Sequence, residues 1–349
     1  MRELDTYTSS NKRGGWRRAG LWSLATLAAS YLVVRNRTRR AERDHPPSGR
    51  FLDIDGVRLH YIEQGEGPVL LLLHGNVVTA DDFRMSGLIE RLAQSYRVIA
   101  IDRPGFGYSE RPRDTTWTPD AQAQLLHRAL EQLGADEYLV LGHSWGTLVA
   151  LAMALHQPDK VRGLLLLSGY YYPSLRPDVP VAAMPAIPLL GDVMRYTVSP
   201  LMGRLSWPLA AKSMFSPSPV PESFSRESPW MLLRPSQVRA TAAEAALMVP
   251  AAAELEQRYA ELQMPVLLMA GKDDRVISAE GNSARLHQAL PQSELTLLPN
   301  VGHMMQHLAQ DEIVEAIDDL AARAGMLPPA MGLDGTLSRR HREPPRPAM

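Results

Sequence analysis

Tyr138-Leu139-Val140-Leu141-Gly142-His143-Ser144-Trp145-Gly146-Thr147-Leu148 is the stretch on which the reading of this chain turns. A short continuous apolar run is followed by a G-x-S-x-G turn and then by a helical pattern from Thr147 to His156. The five-residue pattern alone recurs by chance, but strand, turn and helix around it supply the context in which a serine is pushed out at a sharp bend. Gly142 and Gly146 remove side chains that would collide around such a bend. A helix starting near Ser144 points free N–H groups toward any negative charge developing beside the hydroxyl.

Working outward, the same kind of apolar run recurs at Val69–Leu73, Val98–Ile101, Leu164–Leu167, Val266–Met269 and Leu295–Leu298. None alternates polar with apolar residues, as expected of strands covered by helices on both faces. Phe51–Ile54 and Val57–Glu63 flank Asp55-Gly56, a hairpin signal. Amphipathic segments lie between: Asp82–Gln94, a helix opened by Thr118-Pro119-Asp120 and closed by Gly134, Thr147–His156, and Asp311–Ala324. The alternation predicts an α/β fold with a parallel sheet and right-handed crossovers. Residues 170–263 break the rhythm, being rich in Pro, Met and Trp without a clean strand run. They read as a mostly helical insertion covering the carboxyl edge of the sheet, where ligands bind in such folds. The predicted organisation is a tail over 1–50, a core over 51–169 and 264–325, a helical lid over 170–263 and a disordered tail over 326–349.

Further motifs stand in a fixed order: His74-Gly75-Asn76 after the third strand, Asp102-Arg103-Pro104-Gly105-Phe106-Gly107-Tyr108-Ser109 after the fourth, the Ser144 turn, Gly271-Lys272-Asp273-Asp274-Arg275-Val276, and Gly302-His303. In this order the chain resembles the α/β-hydrolase superfamily over about residues 51–325. The resemblance implies a mostly parallel eight-stranded sheet flanked by helices, with a helical cap insertion. It also implies a Ser144–Asp274–His303 triad, in the family order Ser, acid, His. Ser144 would attack, His303 would act as base and then acid, and Asp274 would hold the imidazole tautomer. Backbone N–H groups of Asn76 and Trp145 would form the oxyanion hole. Asp273 is the neighbouring alternative for the acid. His307 reads as a helix or rim residue, His74 and His143 as structural members of their motifs, and Tyr170-Tyr171-Tyr172 as a lid hinge and pocket wall.

The motif surroundings are similar to the branch containing epoxide hydrolases and haloalkane dehalogenases, in which Asp holds the nucleophile position. Here it is Ser144, so the expected reaction is hydrolysis of a carboxylic ester, thioester or lactone through an acyl-enzyme. Alternatives on the same triad are C–C bond hydrolysis and acyl transfer. A ligand-binding receptor with slow turnover is the alternative from another class. Lid residues such as Met184, Leu189, Met202, Trp207, Phe215 and Met231 suggest a small hydrophobic acyl substrate.

Composition sets the outer bounds. Hydrophobic residues at 45% and charged residues at 21% exclude a mainly disordered or fibrous chain. The absence of cysteine excludes a disulfide framework, a thiol nucleophile and a cysteine zinc site. Neither a metal-ligand spacing nor a phosphate loop stands out, and no cofactor is expected. The net charge of −1 divides into +7 over residues 1–50, −10 over 51–325 and +2 over 326–349. An acidic body argues against nucleic-acid binding, and the basic end points to a membrane instead. Ala19–Val34 is uncharged and flanked by Arg17, Arg18, Arg35, Arg37, Arg39 and Arg40. At about 24 Å of helix against a hydrocarbon core of about 30 Å it is a short anchor. The arginine balance leans the body to the cytoplasmic side. A cleaved export signal is the rival reading.

Overall fold

The computed structural model describes residues 9–326 except Glu227, with side chains from residue 20 onward. Eight strands form one sheet: β1 (Arg50–Ile54), β2 (Val57–Gln64), β3 (Val69–Leu73), β4 (Arg97–Ile101), β5 (Tyr138–His143), β6 (Val161–Leu167), β7 (Val266–Gly271) and β8 (Ser293–Leu298). Their order is β1-β2-β4-β3-β5-β6-β7-β8. β1 and β2 join antiparallel, as do β2 and β4, and every later pair is parallel. The β1–β2 turn places both Asp55 and Gly56 at positive φ, the conformation a two-residue hairpin of this twist requires.

The continuous apolar runs have a direct cause. Successive side chains point to opposite faces, and both faces are buried. Leu71, Leu73, Val140, Leu164 and Leu166 join one core cluster, whereas Leu70, Leu72, Leu139, Leu141 and Leu165 join the other. Each such leucine contributes about 1.5–3 kcal/mol by burial.

The principal helices are α1 (Ser9–Asp44), α2 (Pro119–Gln132), α3 (Gly146–His156), α4 (Leu190–Tyr196), α5 (Val198–Phe215), α6 (Pro235–Glu256) and α7 (Gln310–Arg323). Thr118 caps α2 by accepting from the Ala121 N–H at 3.1 Å, with Pro119 at the first position. The single helix expected over Asp82–Gln94 is two short ones, Asp81–Met85 and Leu88–Leu92, because Gly87 takes φ +80° between them. Between β6 and β7 the described residues form helices and no strand, α4, α5 and α6 among them.

The N-terminal segment departs from expectation. Where a basic tail with an anchor over 19–34 is expected, Ser9–Asp44 is one helix whose C-terminal half packs on the insertion. Val34 and Ala41 are buried, and Leu27, Ser30, Thr38 and His45 half-buried, a 3–4 residue rhythm that marks one contact stripe. Glu42 pairs with Arg234 at 3.5 Å, and Tyr31 meets Tyr196 at 6.5 Å between ring centroids. Among the described residues no helix is long and apolar enough to cross a membrane. The uncharged run of Ala19–Val34 is cut off by arginines before it reaches the ~20 residues a span needs, so an anchor through residues 19–34 is not supported. The tail expected over 326–349 lies, from residue 327 on, outside the described residues.

Candidate active site

Ser144 stands at the carboxyl end of β5, between the strand and α3. Its φ is +53°, in the left-handed region that non-glycine residues rarely enter. The bend is held by the Ser144 N–H donating to the Leu167 carbonyl at 2.9 Å and by Thr147 N–H and Oγ1 donating to the Ser144 carbonyl at 3.0 and 2.6 Å. The two motif glycines are sterically required. A Cβ on Gly142 would come within 2.9 Å of the Gly146 carbonyl oxygen, and one on Gly146 within 2.4 Å of the Leu73 carbonyl oxygen. β3 and the elbow therefore touch backbone to backbone.

Three side chains meet here from distant positions. Ser144 Oγ lies 2.9 Å from His303 Nε2, and His303 Nδ1 lies 2.8 Å from Asp274 Oδ2. The other Asp274 oxygen accepts from the backbone N–H groups of Val276 and Ile277 at 2.7 and 3.0 Å. Burial raises the pKa of Asp274, but the His303 hydrogen bond and charge and the two backbone donors outweigh it. Its carboxyl is held below the usual carboxylate range. Asp273 turns away and accepts from the Asn300 N–H at 2.8 Å.

The loop His74-Gly75-Asn76 lies against the elbow, so that a Cβ on Gly75 would sit 3.0 Å from Ser144 Cβ. Among the described residues, neither the Asn76 nor the Trp145 backbone N–H has a protein acceptor. The Asn76 side chain is occupied: Oδ1 accepts from the Val77 N–H at 2.9 Å, and Nδ2 donates to the Thr241 carbonyl at 3.2 Å.

Contacts between a motif residue and the insertion frame the site. Arg103 is fully buried. It donates from Nε to the His74 carbonyl at 2.8 Å and from Nη2 to the Gly75 carbonyl at 3.0 Å. Its guanidinium pairs with the equally buried Glu244 of α6 and lies 4.8 Å from the Trp145 ring centroid. The Trp145 indole N–H donates to the Glu244 carbonyl at 3.1 Å. The insertion also holds the His303 loop, because the His303 N–H donates to the Met214 carbonyl at 2.9 Å. No sequence spacing pointed to Glu244 or Met214, both lying where the strand rhythm is lost.

The other histidines separate clearly. His74 donates from Nδ1 to the Gly75 carbonyl and accepts the Arg103 N–H at Nε2. Burial first, then the Arg103 charge, lowers its pKa to about 3. His143 donates from Nε2 to the His303 carbonyl at 3.0 Å, and burial with the nearby His303 lowers its pKa to about 4. Both are neutral structural groups. His307 lies on a short helix, as expected, but not at the rim. Its side chain is buried and bonded 2.8 Å from Asp82, whose other oxygen accepts from Gln306. Tyr170, Tyr171 and Tyr172 are all buried, with the Tyr171 carbonyl accepting from Tyr259 Oη at 2.7 Å.

A model of the α/β-hydrolase fold matches residues 68–310. The chain belongs to the α/β-hydrolase family. Among curated relatives of this hydrolase, haloalkane dehalogenase 2 of Mycobacterium tuberculosis is 29% identical over 282 residues, covering 78% of this chain and 94% of that protein. The 2-hydroxymuconate semialdehyde hydrolase of Pseudomonas putida is 28% identical over 301 residues, covering 82% and 99%. Among solved structures, an esterase of Thermogutta terrifontis superposes with a TM-score of 0.65 at 23% identity, over 79% of this chain and 99% of its own length. The α/β-hydrolase is an enzyme by family, fold and relatives.

The expected apolar pocket is only partly visible in the lid residues. Phe215 and Met231 are buried, but Leu189 and Met202 face outward. A cleft of about 480 Å³ beside Gly105 and Gly107 is lined by Arg111, Arg195, Arg234 and Arg239 and includes none of Ser144, Asp274 and His303.

Proposed function

We propose that this hydrolase cleaves a carboxylic ester, thioester or lactone through an acyl-enzyme on Ser144. The observation that carries the reading is the chain of contacts from Ser144 Oγ through His303 to Asp274, at 2.9 and 2.8 Å. His303 Nε2 takes the Ser144 proton as Oγ attacks the carbonyl carbon. The resulting oxyanion is met by the free backbone N–H groups of Asn76 and Trp145, donors of a kind worth about 3–4 kcal/mol each in the transition state. Collapse expels the alkoxide or thiolate, which receives the proton from His303. Water then attacks the acyl carbon with His303 again as base, releasing the acid and restoring Ser144. Asp274 stays ionised throughout and holds Nδ1–H.

The relatives named as dehalogenases do not redirect this chemistry. A serine that displaced a halide would be left as an ether, which this site has no means of hydrolysing. A carboxylate in its place would form an ester, which water can open. The similarity to 2-hydroxymuconate semialdehyde hydrolase favours a second reading, C–C bond hydrolysis on the same three residues. Intact-mass labelling with a fluorophosphonate tests the shared step. One adduct is expected on the wild type and none on Ser144→Ala or His303→Ala. An unlabelled, folded wild type would overturn the reading. Ester and β-diketone substrates then separate the two reactions.

A further inference from the structure

The outer face of the insertion is built the wrong way round for water. On α5, Val198, Met202, Leu205 and Leu209 follow a 4-3-4 spacing and so share one face. That face is exposed: Met202 by 57%, Leu205 and Leu209 by 75% each. The opposite side of α5 packs inward through Pro200, Ala211 and Phe215. Next to it, α1 presents Leu21, Leu24 and Trp22, the last 74% exposed. The two helices adjoin, with Tyr31 of α1 meeting Tyr196 at the end of α4, two residues before Val198. Scattered exposed leucines need no explanation, but a contiguous apolar face of this kind marks a surface that is covered in use.

Charge selects the occupant. Arg35, Arg37, Arg39, Arg40 and Arg43 are exposed along α1 directly after its apolar part. No acidic residue occurs in α5, nor in α1 before Glu42, although the body between residues 51 and 325 carries −10. An apolar face bordered by arginines is the pattern of a helix lying in the plane of an anionic bilayer surface.

We propose that α1 and the outer face of α4 and α5 together form a docking surface for a bilayer bearing anionic headgroups, seated in the interface and not spanning it. The surface is separate from the Ser144 site and stands whichever reaction that site performs.

The test uses the full chain with two kinds of vesicle, phosphatidylcholine alone and phosphatidylcholine mixed with phosphatidylglycerol, followed by sedimentation. The wild type sediments with the mixed vesicles, and less so as salt is raised. Leu205→Gln/Leu209→Gln lowers the partition coefficient at least about tenfold. Arg37→Gln/Arg39→Gln/Arg40→Gln lowers it roughly fivefold for each charge removed. Both variants keep the wild-type circular dichroism and melting curve. Wild type left in the supernatant with both vesicles would overturn the proposal, as would folded variants that bind as the wild type does. A dimer in light scattering that Leu205→Gln/Leu209→Gln splits, with no vesicle binding, would assign the face to a second copy instead.

Discussion

Glu244→Gln is the substitution that probes most directly how the insertion is tied to the chemistry. Glu244 and Arg103 have no exposed side-chain surface, and the pair joins α6 to the loop that carries Asn76. The glutamine keeps the shape but removes the charge opposite the guanidinium. Arg103 then retains only neutral acceptors, the carbonyls of His74 and Gly75 and the Gln122 amide oxygen at 3.2 Å. Removing one partner of a buried pair costs about 3–5 kcal/mol, since the remaining charge stays desolvated. That is a large share of the ~5–15 kcal/mol by which a folded domain exceeds its unfolded state. Urea unfolding followed by circular dichroism reads it as a midpoint shift of more than about 1 M, at a slope of 1–3 kcal/mol per molar. Arg103→Met/Glu244→Gln recovers part of the loss, because the stranded charge is gone. A loss below about 1 kcal/mol in the single variant would refute the reasoning. So would a double variant as unstable as the sum of its parts.

Three further outcomes follow. Asp274→Asn lowers kcat about 10⁴-fold, because an amide can donate to Nδ1 and turn the tautomer so that Nε2 no longer accepts from Ser144. Asp273→Asn, which keeps an oxygen for the Asn300 N–H, leaves kcat within a few-fold; steady-state kinetics on the two variants would reverse the assignment if only Asp273→Asn failed. Folding stability falls as pH drops from about 6.5 toward 4. His74 and His143 have folded pKa values near 3 and 4 against an ordinary 6.5, so the unfolded chain takes up two protons that the folded chain refuses. The slope from these groups is about 2.7 kcal/mol per pH unit, and urea midpoints that stay flat between pH 6 and 4.5 would count against it.

The fold was legible because its strands announce themselves. A sheet buried on both faces writes uninterrupted runs such as Val69–Leu73, and all eight expected strands are present with ends displaced by a few residues. The three residues of the proposed triad stand after strand ends that the motifs already mark. Asp273 and Asp274 were separable only in part, since adjacent residues differ in direction and not in chemistry. The insertion was legible as helical but not in its contacts. Glu244 is 141 positions from Arg103, and no periodicity encodes a pair made by packing. The apolar lid residues misled for a related reason: hydrophobicity says that a side chain is to be covered, not which side of the helix is covered by protein. Leu189 and Met202 face away from the body.

The contacts also restrict how such an insertion can open. Its attachment is uneven along the chain. The end of α5 supplies the Met214 carbonyl that fixes the His303 backbone, and α6 supplies Glu244 to Arg103 and the Thr241 carbonyl to Asn76. Lifting these segments as a unit would break the buried ion pair and misplace His303, the proposed base. Substrate entry by swinging the whole insertion would therefore dismantle the site it serves. The earlier part is held differently. Asp192 of α4 meets Arg113 at 2.8 Å on the exposed surface, and pairs of that kind contribute only about 0–1 kcal/mol. α6 and the end of α5 therefore stay in place as part of the frame that positions His303 and Asn76.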